Sequence, residues 1–187
     1  MAGGTGLALQ LGHRVSVDFD FFTDRSFEAQ RLIQQLAALS CGFQLERSAP
    51  GTILGFVGET KFSIFEYHYP LLKPAIRFMD VALASITDIA AMKLAAIADR
   101  GSRRDFIDLY VIAALEKHVS LEEVFALYDE KFRVLHQNKL HLLKSLGYFE
   151  DAEKEHMPEM LRAIVWEDVK TFFQNEAARI SKQLLAT

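Results

Sequence analysis

The stretch GHRVSVDFDFF, residues 12–22, decides the fold, because it places two charges inside a run that otherwise has the pattern of a buried strand. Apolar and polar residues alternate along it, which predicts a β-strand over 14–22. Side chains on a strand point alternately to its two faces, so Asp18 and Asp20 share one face and the intervening valines and phenylalanines share the other. We therefore expect one face that packs under helices and one face that carries two carboxylates.

Two neighbouring carboxylates on one strand face need a compensating cation. At the rise of a strand, Asp18 and Asp20 lie about 6–7 Å apart, and like charges that close repel each other. Mg²⁺ is a hard ion that takes a few carboxylates and completes its shell with water and phosphate oxygens. The pair thus predicts a platform for two-metal phosphoryl or nucleotidyl transfer. The alternative is an exposed strand face that binds no ion.

A glycine pair stands upstream of the aspartates. Gly3 and Gly4 permit a tight turn and a close approach of backbone N–H groups to a phosphate. Thr5 can cap the following helix, expected over 5–11, and offer its hydroxyl to the same phosphate. Alone the pair predicts only a turn, but with the short helix and the aspartate strand it predicts a nucleotide-binding site.

This order of motifs resembles that of the DNA polymerase β-like nucleotidyltransferase superfamily. The string GGTGLALQLGHRVSVDFDFF (3–22) is similar in particular to the AbiEii/AbiGii-type nucleotidyltransferase toxins. A second block of that family, a lysine helix followed by R-D-x-x-D-L, matches DIAAMKLAAIADRGSRRDFIDLY (88–110). The resemblance covers roughly residues 2–115, and the C-terminal helices carry no matching motif.

The resemblance implies an α+β fold with a polymerase-β-like nucleotidyltransferase core, a mixed sheet and a C-terminal helical region. It implies transfer of an NMP unit from an NTP, with GTP as one candidate, in the presence of Mg²⁺ or Mn²⁺. The implied acceptor is RNA, including tRNA-like RNA, or protein. The implied setting is a toxin–antitoxin or phage-defence pair with an antitoxin partner.

The strand and helix that usually precede the glycine pair are missing, which predicts an exposed sheet edge. Three explanations stay open: a start placed too late, a remnant of a longer protein, or another chain that covers the edge, such as the second copy in a homodimer.

The second block supplies charged residues at helical spacing. In the family pattern Lys93 reaches across a cleft and stabilises charge on the departing pyrophosphate. Asp105 can bind there or cap a helix begun at Ser102, and Asp108 can pair with Lys93 or Arg100 and hold it in place. The basic trio Arg100, Arg103 and Arg104 is the candidate for phosphate or RNA contact. The alternative for these residues is a solvated helix face with a snorkelling lysine.

Catalysis in this superfamily normally uses a third acid, which binds metal and takes the proton of the attacking hydroxyl. Glu66, in the strand KFSIFEYHY (61–69), is the candidate, and Asp24 and Asp80 are alternatives. A surface glutamate at a strand end is the other interpretation. Arg14, just before the aspartate strand, can steady the carboxylates or the triphosphate.

The remaining elements follow from periodicity and capping signals. A helix over 26–39 with Ser26 as its cap precedes an antiparallel meander of strands over 43–49, 51–58 and 61–69. Capping spacings then predict helix starts at Ser85, Ser102 and Ser120, with later helices over 120–137, 138–147 and 158–185. We expect a nucleotidyltransferase-like core over 1–80 and a helical region over 81–187.

Composition narrows the class of protein. The net charge of −4 and pI near 5.9 exclude a chain that coats nucleic acid by bulk charge. Cys41 is the single cysteine, which excludes an internal disulfide and a cysteine-cluster metal site and fits the cytoplasm. No membrane span is expected. The alternative to an enzyme is a catalytically weak or inactive module that keeps nucleotide or partner binding.

Overall fold

The computed structural model describes residues 1–39, 41–135 and 138–185 and confirms the predicted α+β class. One layer is a four-stranded sheet of β1 Phe19–Thr23, β2 Phe43–Ala49, β3 Thr52–Val57 and β4 Thr60–Glu66, in the order β1-β4-β3-β2. The predicted antiparallel meander is formed by β2, β3 and β4. Strand β1 is parallel to β4, so the sheet is mixed.

A short hairpin lies beyond the free edge of β1. It consists of β5 Ile76–Phe78 and β6 Val81–Leu83. The first two residues of the chain connect the two sheets: the Ala2 N–H donates to the Asp20 carbonyl at 3.1 Å, and the Ala84 N–H donates to the Met1 carbonyl at 2.9 Å. The predicted exposed edge of β1 is therefore covered in part by Met1 and Ala2.

The helices, in chain order, are α1 Gly3–Leu11, α2 Ala29–Ala38, α3 Ile86–Asp99, α4 Arg103–Tyr110, α5 Leu121–Lys131, α6 Lys139–Ser145, α7 Glu150–Glu153 and α8 Trp166–Leu185. The predicted caps are confirmed, since the hydroxyls of Ser85, Ser102 and Ser120 accept from the N–H three residues on. Among the described residues, no helix is long and apolar enough to cross a bilayer.

Two predicted elements begin later than expected, for one shared reason. Strand β1 begins at Phe19 rather than at residue 14, and the helix predicted over 158–185 begins at Trp166. The Val15 N–H donates to the Glu159 carbonyl at 2.8 Å, and the Leu161 N–H donates to the His13 carbonyl at 3.0 Å. Both segments use their backbone groups on each other, so neither joins its predicted element there.

Two other boundaries also differ. Helix α2 begins at Ala29 without a side-chain cap, and the hydroxyl of Ser26, its predicted cap, donates instead to Glu66 at 2.7 Å. Helix α5 ends at Lys131, and a 3₁₀ turn follows at Arg133–Leu135. Residues 136 and 137, the end of the predicted helix 120–137, lie outside the described residues.

Every helix except α2 contributes to one apolar core, and α1 belongs to it. Leu7 of α1 is fully buried in the same cluster as Leu94 of α3 and Phe106 of α4. Burial of each such side chain stabilises the fold by about 1.5–3 kcal/mol. Helix α1, which begins with the glycine pair, is therefore fixed against the two helices that carry Lys93 and Asp108.

Candidate active site

The two aspartates open into one cavity of about 290 Å³ between the sheet and the helices, called here the aspartate cavity. Besides Asp18 and Asp20, the residues that line it are Gly4, Arg14, Ser16, Leu54, Lys61, Ser63, Phe65, Lys93, Arg100, Ser102, Arg104 and Asp105. Three separate sequence blocks therefore meet at a single site: the glycine pair, the aspartate strand and the lysine helix.

Strand register explains why Asp20 faces this cavity. Asp20 pairs with Ser63 of β4, whose side chain lies on the same face of the sheet. Asp18 precedes β1 and is held by another route, because the Thr5 hydroxyl donates to the Asp18 carbonyl. Thr5 is buried, and its hydroxyl oxygen accepts from the Ser16 hydroxyl at 2.9 Å, because its single hydrogen is used on the Asp18 carbonyl. The predicted role of Thr5 as a helix cap is wrong, since the cap position is Ala2. Its predicted contact with a phosphate stays a prediction.

The glycine pair forms the first turn of α1 and packs against charged side chains. Gly3 has φ +71°, and a Cβ placed there would lie 2.8 Å from Asp20 Oδ2. A Cβ at Gly4 would overlap the guanidinium of Arg14 and lie 3.2 Å from Ser16 Oγ. Glycine is required because the backbone comes this close to the residues of the cavity.

Lys93 is held by two carboxylates of α4. Its Nζ lies 2.8 Å from Asp105 Oδ1 and 2.6 Å from Asp108 Oδ2, and all three side chains are buried. Burial alone would lower the pKa of Lys93, but the charges of Asp108 and Asp105 raise it above its ordinary value. The predicted pairing of Asp108 with Lys93 is confirmed, as is the interaction of Asp105 with the cap of α4.

Asp108 also binds the segment that leads into the aspartate strand. Arg14 donates to both its oxygens, from Nε at 2.7 Å and from Nη2 at 2.8 Å, and His13 Nε2 lies 2.8 Å from Oδ1. Burial would raise the pKa of Asp108, but Lys93, Arg14 and His13 together hold it well below its ordinary value. Asp108 thus lies behind the cavity and fixes two of its cations.

Three further cations line the cavity and are more exposed. Arg100 Nε donates to Asp105 at 3.1 Å, and Arg104 Nη1 lies 3.5 Å from Asp18 Oδ2. Lys61 of β4 is exposed and has no carboxylate within ion-pair distance in the described parts of the chain. These side chains can bind the phosphates of a nucleotide.

The structure does not bring Glu66 to the aspartates. Glu66 pairs with Thr23, three positions along from the Asp20–Ser63 pair, and odd spacing places it on the other face of the sheet. There its carboxylate accepts from Ser26 and lies 2.6 Å from His68 Nε2. The prediction that Glu66 is the third acid is corrected on this ground.

The alternatives for the third acid also lie elsewhere. Asp80 is 98% exposed in the hairpin beside Arg77, and Asp24 lines a different cavity. On the face of β4 that borders the aspartate cavity stand Lys61, Ser63 and Phe65. Sequence reasoning missed these three residues, because only the register of β4 against β1 reveals which residues of that strand face Asp20.

The residues of the cavity fit a divalent cation. Burial raises the pKa of Asp20 above its ordinary value, and the charge of Asp18 raises it further. The raised pKa means that it costs free energy to keep Asp20 charged beside Asp18. Two such carboxylates in one cavity form an oxygen donor set of the kind that Mg²⁺ binds. Arg104 approaches Asp18 only from the exposed rim of the cavity. Within the described residues, no group of three or more His, Cys, Asp or Glu side chains is arranged to hold a metal. Asp105, the third acid in the lining, is paired with Lys93 and Arg100, so Asp18 and Asp20 are the two acids available to a cation.

The fold and the cavity together define a nucleotidyltransferase-type protein. They combine a mixed sheet that carries paired aspartates, a glycine turn at the start of a helix, and cationic side chains that line the cavity. The chain belongs to the AbiEii nucleotidyltransferase toxins of type IV toxin–antitoxin systems, since the family model "Nucleotidyl transferase AbiEii toxin, Type IV TA system" matches residues 1–70 and 66–179. The predicted family, its enzyme class and its nucleotide substrate class are thereby confirmed.

Three individual proteins are similar to this chain. The uncharacterized protein aq_aa25 of Aquifex aeolicus (strain VF5) is 39% identical over 181 residues, which are 94% of this chain and 84% of the relative. The crystal structure of JHP933 from Helicobacter pylori matches with a TM-score of 0.51 at 18% identity, over 99% of this chain and 86% of that one. A second H. pylori structure, described as a candidate nucleotidyltransferase, matches with a TM-score of 0.50 at 16% identity and the same coverage. At these identities the structures show the fold alone.

Proposed function

We propose that this protein transfers an NMP unit from an NTP to an RNA or protein acceptor, with a divalent cation held by Asp18 and Asp20. The observation that carries the proposal is that both carboxylates open into one cavity that five cationic side chains also line. When bound, Mg²⁺ or Mn²⁺ supplies charge neutralisation between the carboxylates and the phosphates. The acceptor class and a toxin role opposed by an antitoxin are part of this proposal.

The cations divide into two groups with different tasks. Lys61, Arg100 and Arg104 are exposed and bind the triphosphate. Lys93 and Arg14 are buried and both pair with Asp108, and Arg14 packs against Gly4 and so positions the first turn of α1. An ammonium has three donors, and two of those on Lys93 are directed at Asp105 and Asp108, which leaves one for a phosphate oxygen.

The test is transfer of label from each NTP in turn, GTP first, with Mg²⁺ and either total RNA or the protein alone. We expect label on one acceptor and its loss in Asp20→Asn and in Asp18→Asn, because either change removes a ligand charge. Asp80→Asn is the matched control, since Asp80 is an exposed aspartate far from the cavity lining. Equal labelling by the wild type and both cavity variants would refute the roles of these aspartates.

A second candidate function is a nucleotide-binding module without turnover. It is favoured by the two-acid site, since Lys61 and Ser63 stand on β4 where a third acid would face Asp20. This candidate predicts an NTP- and Mg²⁺-dependent thermal shift that Asp20→Asn abolishes, with no label transferred to any acceptor. Observed turnover excludes it.

A further inference from the structure

The sheet wall of the aspartate cavity supplies two acids, Asp18 and Asp20. The other described residues of this wall are apolar, hydroxyl or cationic, namely Ser16, Leu54, Lys61, Ser63 and Phe65. A second divalent ion needs oxygen ligands of its own in addition to carboxylates shared with the first. The strands beside the aspartate pair offer no further carboxylate for such an ion.

The helix wall has one acid among its described residues, and that acid is already bound at both oxygens. Asp105 Oδ1 accepts from Lys93 at 2.8 Å. Asp105 Oδ2 accepts from the Ser102 hydroxyl at 2.6 Å and from Arg100 at 3.1 Å. An ion at Asp105 would have to displace two cations, so the helix wall does not provide a ligand for a second ion either.

Cations outnumber carboxylates around the aspartate cavity. Five cationic side chains and three carboxylates line it, and Asp108 behind it adds a fourth carboxylate. Because like charges repel, these surroundings favour one divalent ion at the aspartate pair over two. The negative charge that compensates the remaining cations has to come from a ligand, and a triphosphate supplies it.

Lys61 is the cation that stands beside the aspartate pair on the sheet wall. Strands β1 and β4 are parallel and Asp20 pairs with Ser63, so Lys61, two residues before Ser63, lies at the level of Asp18 on the same face. The Lys61 side chain is exposed, and no carboxylate of the described residues lies within ion-pair distance of it. Its ammonium is therefore available to an anion that enters the cavity.

Building on the proposed function, we propose that the aspartate cavity binds an NTP with one divalent cation, and that the Lys61 ammonium takes the place of a second cation beside the α-phosphate. Two-metal sites hold their ions about 3.5–4 Å apart at the reacting phosphate. A lysine ammonium is a compact point charge with three donors. It can bind the same phosphate oxygens without any carboxylate ligand of its own.

The two walls differ in the phosphates that they fit. Arg100 and Arg104 stand on the helix wall, whereas Arg103, the third member of the predicted basic trio, lies 3.2 Å from Glu153 and does not line the cavity. The helix wall has the larger share of cations, so it fits the β- and γ-phosphates, which carry most of the charge. The α-phosphate then lies at the aspartates, where Lys61 approaches it from the sheet wall.

The first test examines the ions directly, with the full chain, Mn²⁺ and an NTP analogue whose α,β-bridging oxygen is replaced by a methylene group, so that no transfer takes place. We expect the electron paramagnetic resonance spectrum of uncoupled Mn²⁺, one ion per chain. Lys61→Glu adds a third carboxylate beside the pair and should give a spin-coupled Mn²⁺ pair. Lys144→Glu, the same charge change at an exposed lysine of α6 outside the cavity lining, should keep the uncoupled spectrum.

The second test measures affinity by isothermal titration with Mg²⁺. Lys61→Gln should weaken binding of the analogue about three- to tenfold, because a charged donor to the α-phosphate is lost. Lys144→Gln is the matched control and should bind as the wild type does. Inorganic pyrophosphate stands in for the β- and γ-phosphates, so its affinity should be the same in Lys61→Gln and in the wild type. Thermal unfolding verifies that each variant is folded.

Four results would overturn the inference: a coupled Mn²⁺ pair in the wild type, an uncoupled spectrum in Lys61→Glu, unchanged affinity for the analogue in Lys61→Gln, or an equal loss of pyrophosphate affinity in that variant. None of these results contradicts NTP binding at the aspartates. A wild type that binds neither Mn²⁺ nor the analogue would instead refute the proposed function, and the role of Lys61 with it.

Discussion

At the scale of single residues, Asp108 is the side chain on which the candidate active site depends most. It is fully buried, and it binds Arg14 from the segment before the aspartates and Lys93 from the helix opposite them. A carboxylate this deep is stable as an anion only because its partners are cations. It therefore connects the two sequence blocks without touching the aspartate cavity itself.

We predict that Asp108→Asn lowers the free energy of unfolding by about 3–5 kcal/mol, because it leaves Arg14 and Lys93 buried with one carboxylate fewer between them. Chemical denaturation measures the change. Asp80→Asn, at an exposed pair in the hairpin, is the matched control and should leave the midpoint where it is. A similar midpoint for both variants would contradict the structural role of Asp108.

Asp20 gives a prediction about pH. Its pKa is raised by burial first and by Asp18 next, so the carboxylate takes up its proton at a higher pH than an ordinary aspartate. Divalent-cation affinity should therefore fall as the pH is lowered through this raised pKa, while the folded state gains stability at this site over the same range. The variant Asp18→Asn removes the neighbouring negative charge, so the pKa of Asp20 should move down towards its ordinary value. Carboxyl-carbon NMR titration measures it, and an unchanged titration in Asp18→Asn would show that the two charges do not interact.

At the scale of elements, the first turn of α1 and strand β1 are fitted to each other. Gly3 has a positive φ and lies against Asp20, and Gly58, in the β3–β4 turn, has a similar φ of 61° with open space around it. Substitution of Gly58 therefore tests the strain of a positive φ alone, whereas substitution of Gly3 tests the same strain together with the contact with Asp20.

We predict that Gly3→Ala and Gly58→Ala each destabilise the fold by about 1–2 kcal/mol, since alanine is strained in the left-handed region. Only Gly3→Ala should also weaken NTP–Mg²⁺ binding, by about tenfold or more, because its Cβ displaces the Asp20 carboxylate. Isothermal titration on the folded variants measures the difference. Equal NTP affinity in the two variants would mean that Gly3 matters only for folding.

Helix starts with the capping-box spacing were predicted correctly, whereas Thr5 and Ser26, which lack it, do not cap their helices. A capping serine and the N–H three residues on are a local arrangement, so the starts at Ser85, Ser102 and Ser120 could be predicted from spacing alone. The start of β1 could not be predicted from spacing, because residues 13–15 can either continue the strand or pair with residues 159–161. That choice depends on contacts across most of the chain.

At the scale of the whole molecule, a second buried ion pair joins the segment after the sheet to the helices. Lys131 of α5 lies 2.7 Å from Asp88 of α3 and donates to the Pro70 carbonyl at 2.6 Å, while Asp88 also accepts from the backbone of Leu72 and Lys73. Burial would raise the pKa of Asp88, but Lys131, the backbone donor and Ser85 lower it below its ordinary value. This pair therefore fixes the segment after β4 against α3 and α5.

We predict that Lys131→Met costs about 3–5 kcal/mol of stability, because it leaves the Asp88 carboxylate buried without its cation. Lys139→Met, at an exposed pair with Asp129, is the matched control and should change the midpoint little. By linkage, the depressed pKa of Asp88 means that its contribution is complete above the ordinary aspartate pKa and is lost as the pH falls below it. A wild-type acid transition no steeper than that of Lys131→Met would contradict this account.

The sequence by itself determined the α+β class, the antiparallel meander, the capped helices and the identity of the paired aspartates with their glycine turn. These features depend on alternation, spacing and backbone freedom over a few residues. Only the tertiary structure decided which residues surround the aspartates: register turned Glu66 to the opposite face and brought Lys61 and Ser63 to the cavity, and packing of α1 on α3 and α4 brought Arg14, Lys93 and Asp108 together. Such neighbours come from segments far apart in the chain, and their meeting is fixed by burial of the whole core and not by any local preference.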